Sequence, residues 1–311
     1  MRVFERPLRL SARRVLPARS RVLLLAPPPS SAARRATYVP QNPQRFPVLE
    51  SAHPYRYGAP VTPPSARYRI DRGDAVAWLR GLPDASVDLV ITDPPYESLE
   101  KHRAIGTTTR LTHSKASSND WFAIFPNTRF EELFREIWRV LRDDTHFYLL
   151  CDAETMFVAK PIAERAGFKF WKPIVWDKRK IGMGYHYRAR YEFILFFEKG
   201  KRKLANLGTA DIIEAPRVHN GYPAEKPVAV SEVLVSQSSE PGEVVVDPFM
   251  GSGSAGVAAV KNGRHFWGND VCAEAVAITE ARLKEAGAVP DLDAPRGVHD
   301  AGAQLGLAIG K

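Results

Sequence analysis

Short apolar runs alternate with segments of helical period from Ala75 to Ala286, and this alternation constrains the fold more than any other feature. Ala75 to Leu82 reads as a helix with Val76, Leu79 and Leu82 on one stripe, and Val87 to Thr92 as a buried strand ending at Asp93. Helix Phe130 to Leu141, strand His146 to Cys151, helix Glu154 to Ala166, strand Ile174 to Asp177 and strand Tyr191 to Glu198 follow. Pro227 to Ser236 is a helix, Val244 to Val246 a strand and Ser254 to Lys261 a helix. Strand His265 to Gly268 then leads into helix Ala273 to Ala286. Strands separated by helices imply an α/β fold, a doubly wound, mostly parallel sheet covered on both faces, with ligands bound at the carboxyl ends of its strands.

The flanks have a different composition. Residues 1–65 are rich in Arg, Pro, Ser and Ala without a sustained period, and are read as a disordered leader. Its first sixty residues hold eleven arginines against Glu5 and Glu50, which equals the net +9 of the whole chain, so the remainder is neutral. An organelle transit peptide, a start codon placed too far upstream and a nucleic-acid-binding arm all fit such a segment. A domain over residues 66–286 and a loose tail over 287–311 complete the expected organisation. Cys151 and Cys272 are too few for a disulfide framework and lack zinc spacing, which suits a reducing, cytoplasm-like compartment. No apolar run approaches the ~20 residues of a membrane helix, so a soluble protein is expected.

Two loops carry the chemistry. Gly251-x-Gly253-x-x-Gly256 follows strand Val244 to Asp247 and opens a helix, where glycines let a ligand approach the backbone at the helix N-terminus. Asp270 ends the next strand, where a carboxylate can accept both hydroxyls of a ribose. Alone, this pattern fits a nicotinamide-dependent oxidoreductase as well as any other nucleotide binder. The wider string Asp247-Pro248-Phe249-Met250-Gly251-Ser252-Gly253 is more specific, and so is Asp93-Pro94-Pro95-Tyr96 after the strand Val87 to Thr92. An exocyclic amine is a poor nucleophile because its lone pair is delocalised into the ring. Asp93 can accept one amino hydrogen and the Pro94 carbonyl, fixed by the Pro94-Pro95 pair, another, aiming the lone pair at an electrophile. Tyr96 offers a face on which an extruded base can stack.

These two strings, in this order, resemble the N6-adenine/N4-cytosine DNA methyltransferase family in its β class, whose motif order is circularly permuted. The resemblance spans roughly residues 68–285 and implies a Rossmann-like fold dependent on S-adenosylmethionine, restriction-modification roles included. It implies that Asp74, after Gly73, holds the cofactor's adenine amine, and that Lys226 of Glu225-Lys226-Pro227 borders its methionine end. Phe249 then packs against the cofactor, beside Asp93, Asp247, Gly251 and Gly253, and Asp270 stands where the family usually has a ribose-binding Glu. Trp176-Asp177-Lys178, Gly182-Met183-Gly184 and Arg190-Tyr191-Glu192 resemble the segment between the two loops.

The resemblance also implies double-stranded DNA as partner, with the target base flipped out. Insertions at about 97–127 and 178–225 are the candidates for target recognition. From Lys160 to Lys203 thirteen basic residues stand against four acids, a patch suited to a phosphate backbone. Lys178, Arg179, Lys180, Arg188 and Arg190 are the expected phosphate contacts, with Tyr185 reaching bases. The short span from Lys203 to Glu225 points to a short recognition site, or to help from a homodimer. Adenine is preferred to cytosine as the target because Asp, not Ser, begins the Pro-Pro-Tyr loop. A catalytically dead DNA-binding subunit is a further alternative, disfavoured by the intact Asp93, Tyr96, Lys226 and Asp270. The eight histidines show no ligand spacing, and no metal is expected.

Overall fold

The computed structural model describes residues 65–98, 124–182, 187–219, 221–222 and 224–295. Its strands are β1 (Arg67–Arg72), β2 (Val87–Thr92), β3 (Leu141–Cys151), β4 (Lys169–Asp177), β5 (Tyr191–Lys199), β6 (Ile212–Glu214), β7 (Val244–Asp247), β8 (His265–Asp270) and β9 (Val289–Pro290). They form one sheet in the order β6-β4-β5-β3-β2-β7-β8-β1-β9. Only β5 runs against its neighbours, β3 and β4; the remaining pairs are parallel. The mostly parallel sheet expected from the alternation is therefore present.

The helices are α1 (Ala75–Arg80), α2 (Phe130–Val140), α3 (Ala153–Arg165), α4 (Val228–Ser238), α5 (Ser254–Lys261) and α6 (Ala273–Glu285). The strands have period two, so each sheet face carries its own apolar cluster. Phe147, Leu149, Leu195, Phe197, Val246 and Trp267 pack on one face against α1, α2 and α3. Tyr148, Leu150, Ile194, Phe196, Val245 and Phe266 pack on the other against α4, α5 and α6. Asp74 and Asp152 cap α1 and α3, each accepting from a backbone amide three residues on.

Three local expectations change. β3 and β4 begin five residues earlier than the apolar runs suggest: Leu141 already pairs with Val87 and Thr145 with Lys199 on either side of an irregularity at exposed Arg142 to Asp144, and Lys169, Phe170, Lys172 and Pro173, exposed or half-exposed, pair with β5 through their backbones. β6 and β9 are too short to show a period. The segment after Gly287 is expected to be loose, yet Val289–Pro290 pairs with β1 and Arg69 donates to the Ala294 carbonyl (2.7 Å). Residues 1–64 and 296–311, and with them nearly all of the expected leader, lie outside the described residues.

One polar chain crosses the second cluster. The Arg202 carbonyl can only accept, so His146 Nε2 carries the proton (3.1 Å) and Nδ1 accepts from Ser238 Oγ (2.7 Å). Tyr148 then donates its hydroxyl to Ser238 Oγ (2.7 Å). Burial holds His146 neutral and lowers its pKa from 6.5 to about 4. The unfolded chain protonates this ring near pH 6.5 while the folded one resists down to about 4, so its contribution is complete above 6.5 and lost as pH falls toward 4. Unfolding free energy followed by denaturant titration should decline across that window, and His146→Gln should remove one proton's share of the slope.

Candidate active site at the switch point of the sheet

β2 and β7 are neighbours, but the chain leaves β2 toward β3 and leaves β7 toward β8, in opposite directions across the sheet. A crevice opens between two such strand ends, so the loops after β2 and β7 share one site. Thr92 Oγ1 donates to Asp247 Oδ1 (2.8 Å), which also accepts from the Phe249 amide (3.0 Å). Burial lifts the Asp247 carboxyl to about 7, with Thr92 and the Phe249 amide opposing it.

In the glycine loop, Gly251 and Gly253 have φ of 50° and 78°. A Cβ on Gly253 would stand 2.5 Å from Thr279 Cγ2, and one on Gly256 would stand 2.7 Å from the Phe266 ring. The loop is thus drawn tightly onto α6 and β8. Asp270 accepts from the Gly251 amide (2.9 Å) and the Cys272 amide (2.8 Å), so one carboxylate joins the glycine loop to the start of α6. Burial raises its pKa against those two amides. The positive-φ glycines, the loop backbone they bare and the acceptor at Asp270 fit a nucleoside with vicinal hydroxyls.

The glycine loop is also tied to the Glu225-Lys226-Pro227 element. Ser254 Oγ donates to the Lys226 carbonyl (2.6 Å), and Arg282 donates to the Ser252 carbonyl (2.7 Å) while pairing with Glu225 (3.0 Å). Lys226 Nζ reaches across to pair with Asp93 and lies 3.4 Å from Glu192 Oε2. Asp93 is half-buried; burial raises its pKa, Lys226 opposes that and Glu192 reinforces it.

Asp74 accepts both Nη atoms of Arg129 (2.7 and 2.8 Å), besides capping α1. Arg129 lies over the Phe125 ring (5.1 Å), which meets Phe249 edge-on (5.0 Å). Asp74 and Phe249 are therefore linked through a residue that the motifs did not single out, Arg129, as well as through Phe125. Of the candidate catalytic loop, Pro94 is buried and Pro95 accepts from the Phe125 amide through its carbonyl (2.7 Å). Tyr96 is buried in the apolar cluster with Phe125, so its ring is not the open stacking face expected from the loop alone.

The basic stretch differs most from expectation. Lys178 is buried and pairs with Glu192, so it belongs to the Asp93 cluster and not to a phosphate-facing surface. Arg190 holds both oxygens of Asp177 (2.6 Å each), and Arg179 pairs with Glu214 (3.1 Å). Lys172, Lys199 and Arg202 likewise have carboxylate partners, in Asp211, Asp143 and Glu243. Lys180 and Arg188 are exposed, without an ion pair among the described residues. Tyr185 lies outside the described residues. Glu192, noted only as part of Arg190-Tyr191-Glu192, is the acid that sequence alone left without a role. Its signal was a carboxylate at the start of a strand whose next five residues, Phe193 to Phe197, are apolar.

No group of His, Cys, Asp or Glu among the described residues could hold a metal ion, and none of their helices is long and apolar enough to cross a membrane.

The Escherichia coli (strain K12) DNA adenine methyltransferase YhdJ is 28% identical over 254 residues, covering 69% of this chain and 82% of that protein. A Thermus thermophilus protein, TTHA0409, solved with S-adenosyl-L-methionine, superposes with a TM-score of 0.54 at 21% identity, covering 72% of this chain and 98% of that one. The cytosine-N4-specific PvuII DNA methyltransferase superposes with a TM-score of 0.54 at 17% identity, covering 74% and 96%. At these identities the two structural likenesses establish a shared Rossmann-like fold. A family model described as DNA methylase, of the N6/N4 methyltransferases, matches residues 87–281. That match spans more than half of the chain and takes in both loops, and the protein belongs to the N6/N4 DNA methylase family.

Proposed function

We propose that the protein transfers a methyl group from S-adenosylmethionine to the N6 amine of adenine in double-stranded DNA, with the target base flipped into the crevice. The observation that carries this reading is the placement of Asp93 against Lys226, whose own backbone is bound to the glycine loop. The amine acceptor and the nucleotide cradle are thereby parts of one crevice.

S-adenosylmethionine supplies an electrophilic methyl group. Asp270 would accept its ribose hydroxyls, Gly251 and Gly253 would leave room for its chain, and Phe249 and Asp74 would border its adenine. Asp93 and the Pro94 carbonyl would each accept one hydrogen of the target amine, turning the nitrogen lone pair toward the methyl carbon. Fixed acceptors of this kind act through alignment, which can contribute several kcal/mol without an enzyme-bound covalent intermediate. Tyr96 would stack on the base once its face is uncovered, an interaction of about 1–3 kcal/mol.

Lys180 and Arg188 are the basic residues best placed to meet phosphates. Arg179 would join them by exchanging its exposed partner Glu214, since surface ion pairs contribute only ~0–1 kcal/mol, whereas Arg190 would first have to give up its two-point pair with half-buried Asp177. Recognition would draw on the insertions at about 97–127 and 178–225, alone or in a homodimer, and the loop order supports a reading as the permuted β class.

Adenine is favoured because Asp93 begins the loop and because a relative is named a DNA adenine methyltransferase. Cytosine N4 is the second reading, since the same pair of acceptors suits either amine and a structural neighbour is cytosine-N4-specific. Incubation with labelled S-adenosylmethionine and unmethylated DNA, followed by digestion to nucleosides, should yield N6-methyladenine. Label found only in N4-methylcytosine would reverse the choice of base. Asp93→Ala should abolish turnover while cofactor affinity measured by calorimetry changes little; near-normal turnover would refute the amine-orienting role. Gly253→Ala should destabilise the protein by roughly 1–2 kcal/mol or more, because the new methyl meets Thr279 at positive φ, and weaken cofactor binding with it.

A further inference from the structure

We propose that Glu192 is a positioning residue that takes Lys226 away from Asp93 when the target amine arrives. This rests on the reading of Asp93 as the acceptor of that amine.

Lys226 Nζ sits on Asp93 Oδ2, one of the two oxygens that could accept the amine hydrogen. An ammonium held there competes with the amine for the acceptor, so it must leave before the base is aligned. Its backbone has little freedom to follow, since the Lys226 carbonyl is held by Ser254 Oγ (2.6 Å) and Pro227 caps α4. Only the tip of the side chain can move. Glu192 Oε2 lies 3.4 Å from Nζ, is buried and has no hydrogen-bond partner among the described residues. Closing that gap to the ~2.8 Å of a charge-assisted hydrogen bond needs a shift of well under an ångström, and rotation of the side-chain tip about that new bond then takes Nζ off Asp93.

The second seat is kept charged and in place. Glu192 Oε1 is held by Lys178, which is buried with its ammonium 5.2 Å over the Trp176 ring. The β4–β5 ladder fixes the pair: Trp176 stands opposite Glu192, and the Lys178 amide donates to the Arg190 carbonyl (2.9 Å). Despite its burial, the two lysines keep the Glu192 carboxyl low, at about 2. Asp93, Lys226, Glu192 and Lys178 thus alternate in sign and sum to zero. Lys226 can pass between its two carboxylates without bringing a charge into or out of the site.

Glu192→Gln keeps the shape of the seat and removes its charge, leaving Lys226 on Asp93. Expected with S-adenosylmethionine and unmethylated genomic DNA is a fall in kcat of about tenfold or more, with cofactor dissociation constant by calorimetry within about twofold of wild type. Glu192→Asp, which keeps the charge, should restore kcat to within about threefold of wild type. Because Glu192→Gln strands the Lys178 charge, Lys178→Met/Glu192→Gln is the companion variant; it should recover Tm without recovering kcat. Wild-type kcat in either folded glutamine variant would overturn the proposal. So would equal losses in the Gln and Asp variants that follow Tm, since they would mark a packing role alone. If the wild-type protein itself transfers no methyl to DNA, the fault lies with the underlying reading and not with Glu192.

Discussion

One buried hydrogen bond, from Thr92 to Asp247, joins strand ends that lie 155 residues apart in the chain. It exists because β2 and β7 pair in parallel at the point where the sheet changes winding direction. Everything chemical depends on that adjacency. Asp93 follows Thr92 directly, and Phe249, Gly251 and Gly253 follow Asp247, so two loops remote in sequence open into one crevice. Asp247 is the least comfortable member of the arrangement, since burial holds its carboxyl near 7 and two donors only partly offset the loss of water. Its placement makes sense as the hinge that sets the glycine loop, through the Phe249 amide, against the strand carrying Asp93.

The fold was legible where burial on both faces forces continuous apolar runs. β2, β5, β7 and β8 are of that kind, and α5 begins and ends where its period does. Legibility failed where backbone pairing needs no apolar side chain. Arg142 to Asp144 of β3 and Lys169 to Pro173 of β4 are exposed or half-exposed, and β6 and β9 have two or three residues each, so none of these carries a pattern to read. The reversal at β5 escaped for a different reason. A parallel return needs a crossover, usually helical, and the segment between β4 and β5 has no helical period, which is the physical sign of an antiparallel turn-back.

In the site, Asp270, Gly251 and Gly253 occupy places that glycine freedom and strand ends predict, because those constraints are local. The basic stretch from Lys160 to Lys203 could not be read locally. Its positive charge counted along the chain is real, but its partners Asp211, Glu214, Asp143 and Glu243 lie outside the stretch and come in through the sheet. Lys178 is the clearest case. In sequence it begins the run Lys178-Arg179-Lys180, yet its side chain is buried while Lys180 is exposed. Charge density in a sequence therefore reports a patch only after cross-strand pairing has been subtracted.

That pairing also explains why so polar a cluster persists beneath the catalytic loop. Buried ion pairs are weak contributors to stability, because desolvation of each charge consumes most of the attraction between them. Packed apolar residues at Lys178 and Glu192 would hold the β4–β5 ladder at least as well, since Trp176, Phe193 and Ile194 already fill that region. The stability of the fold thus gives no reason for four charges there. What the charges do provide is an acid at Asp93 that stays exchangeable. Alone in a half-buried crevice it would drift toward its protonated form, as burial already urges, and lose the power to accept an amine hydrogen. Lys226 opposes that drift, and a second carboxylate within reach would keep the same lysine from becoming a permanent occupant. On the proposed reading, the glycine loop can be rigid because its ligand contacts would be fixed backbone, whereas the loop of Asp93 would need one mobile cation, and the neighbouring strand holds the second carboxylate to which that cation would go.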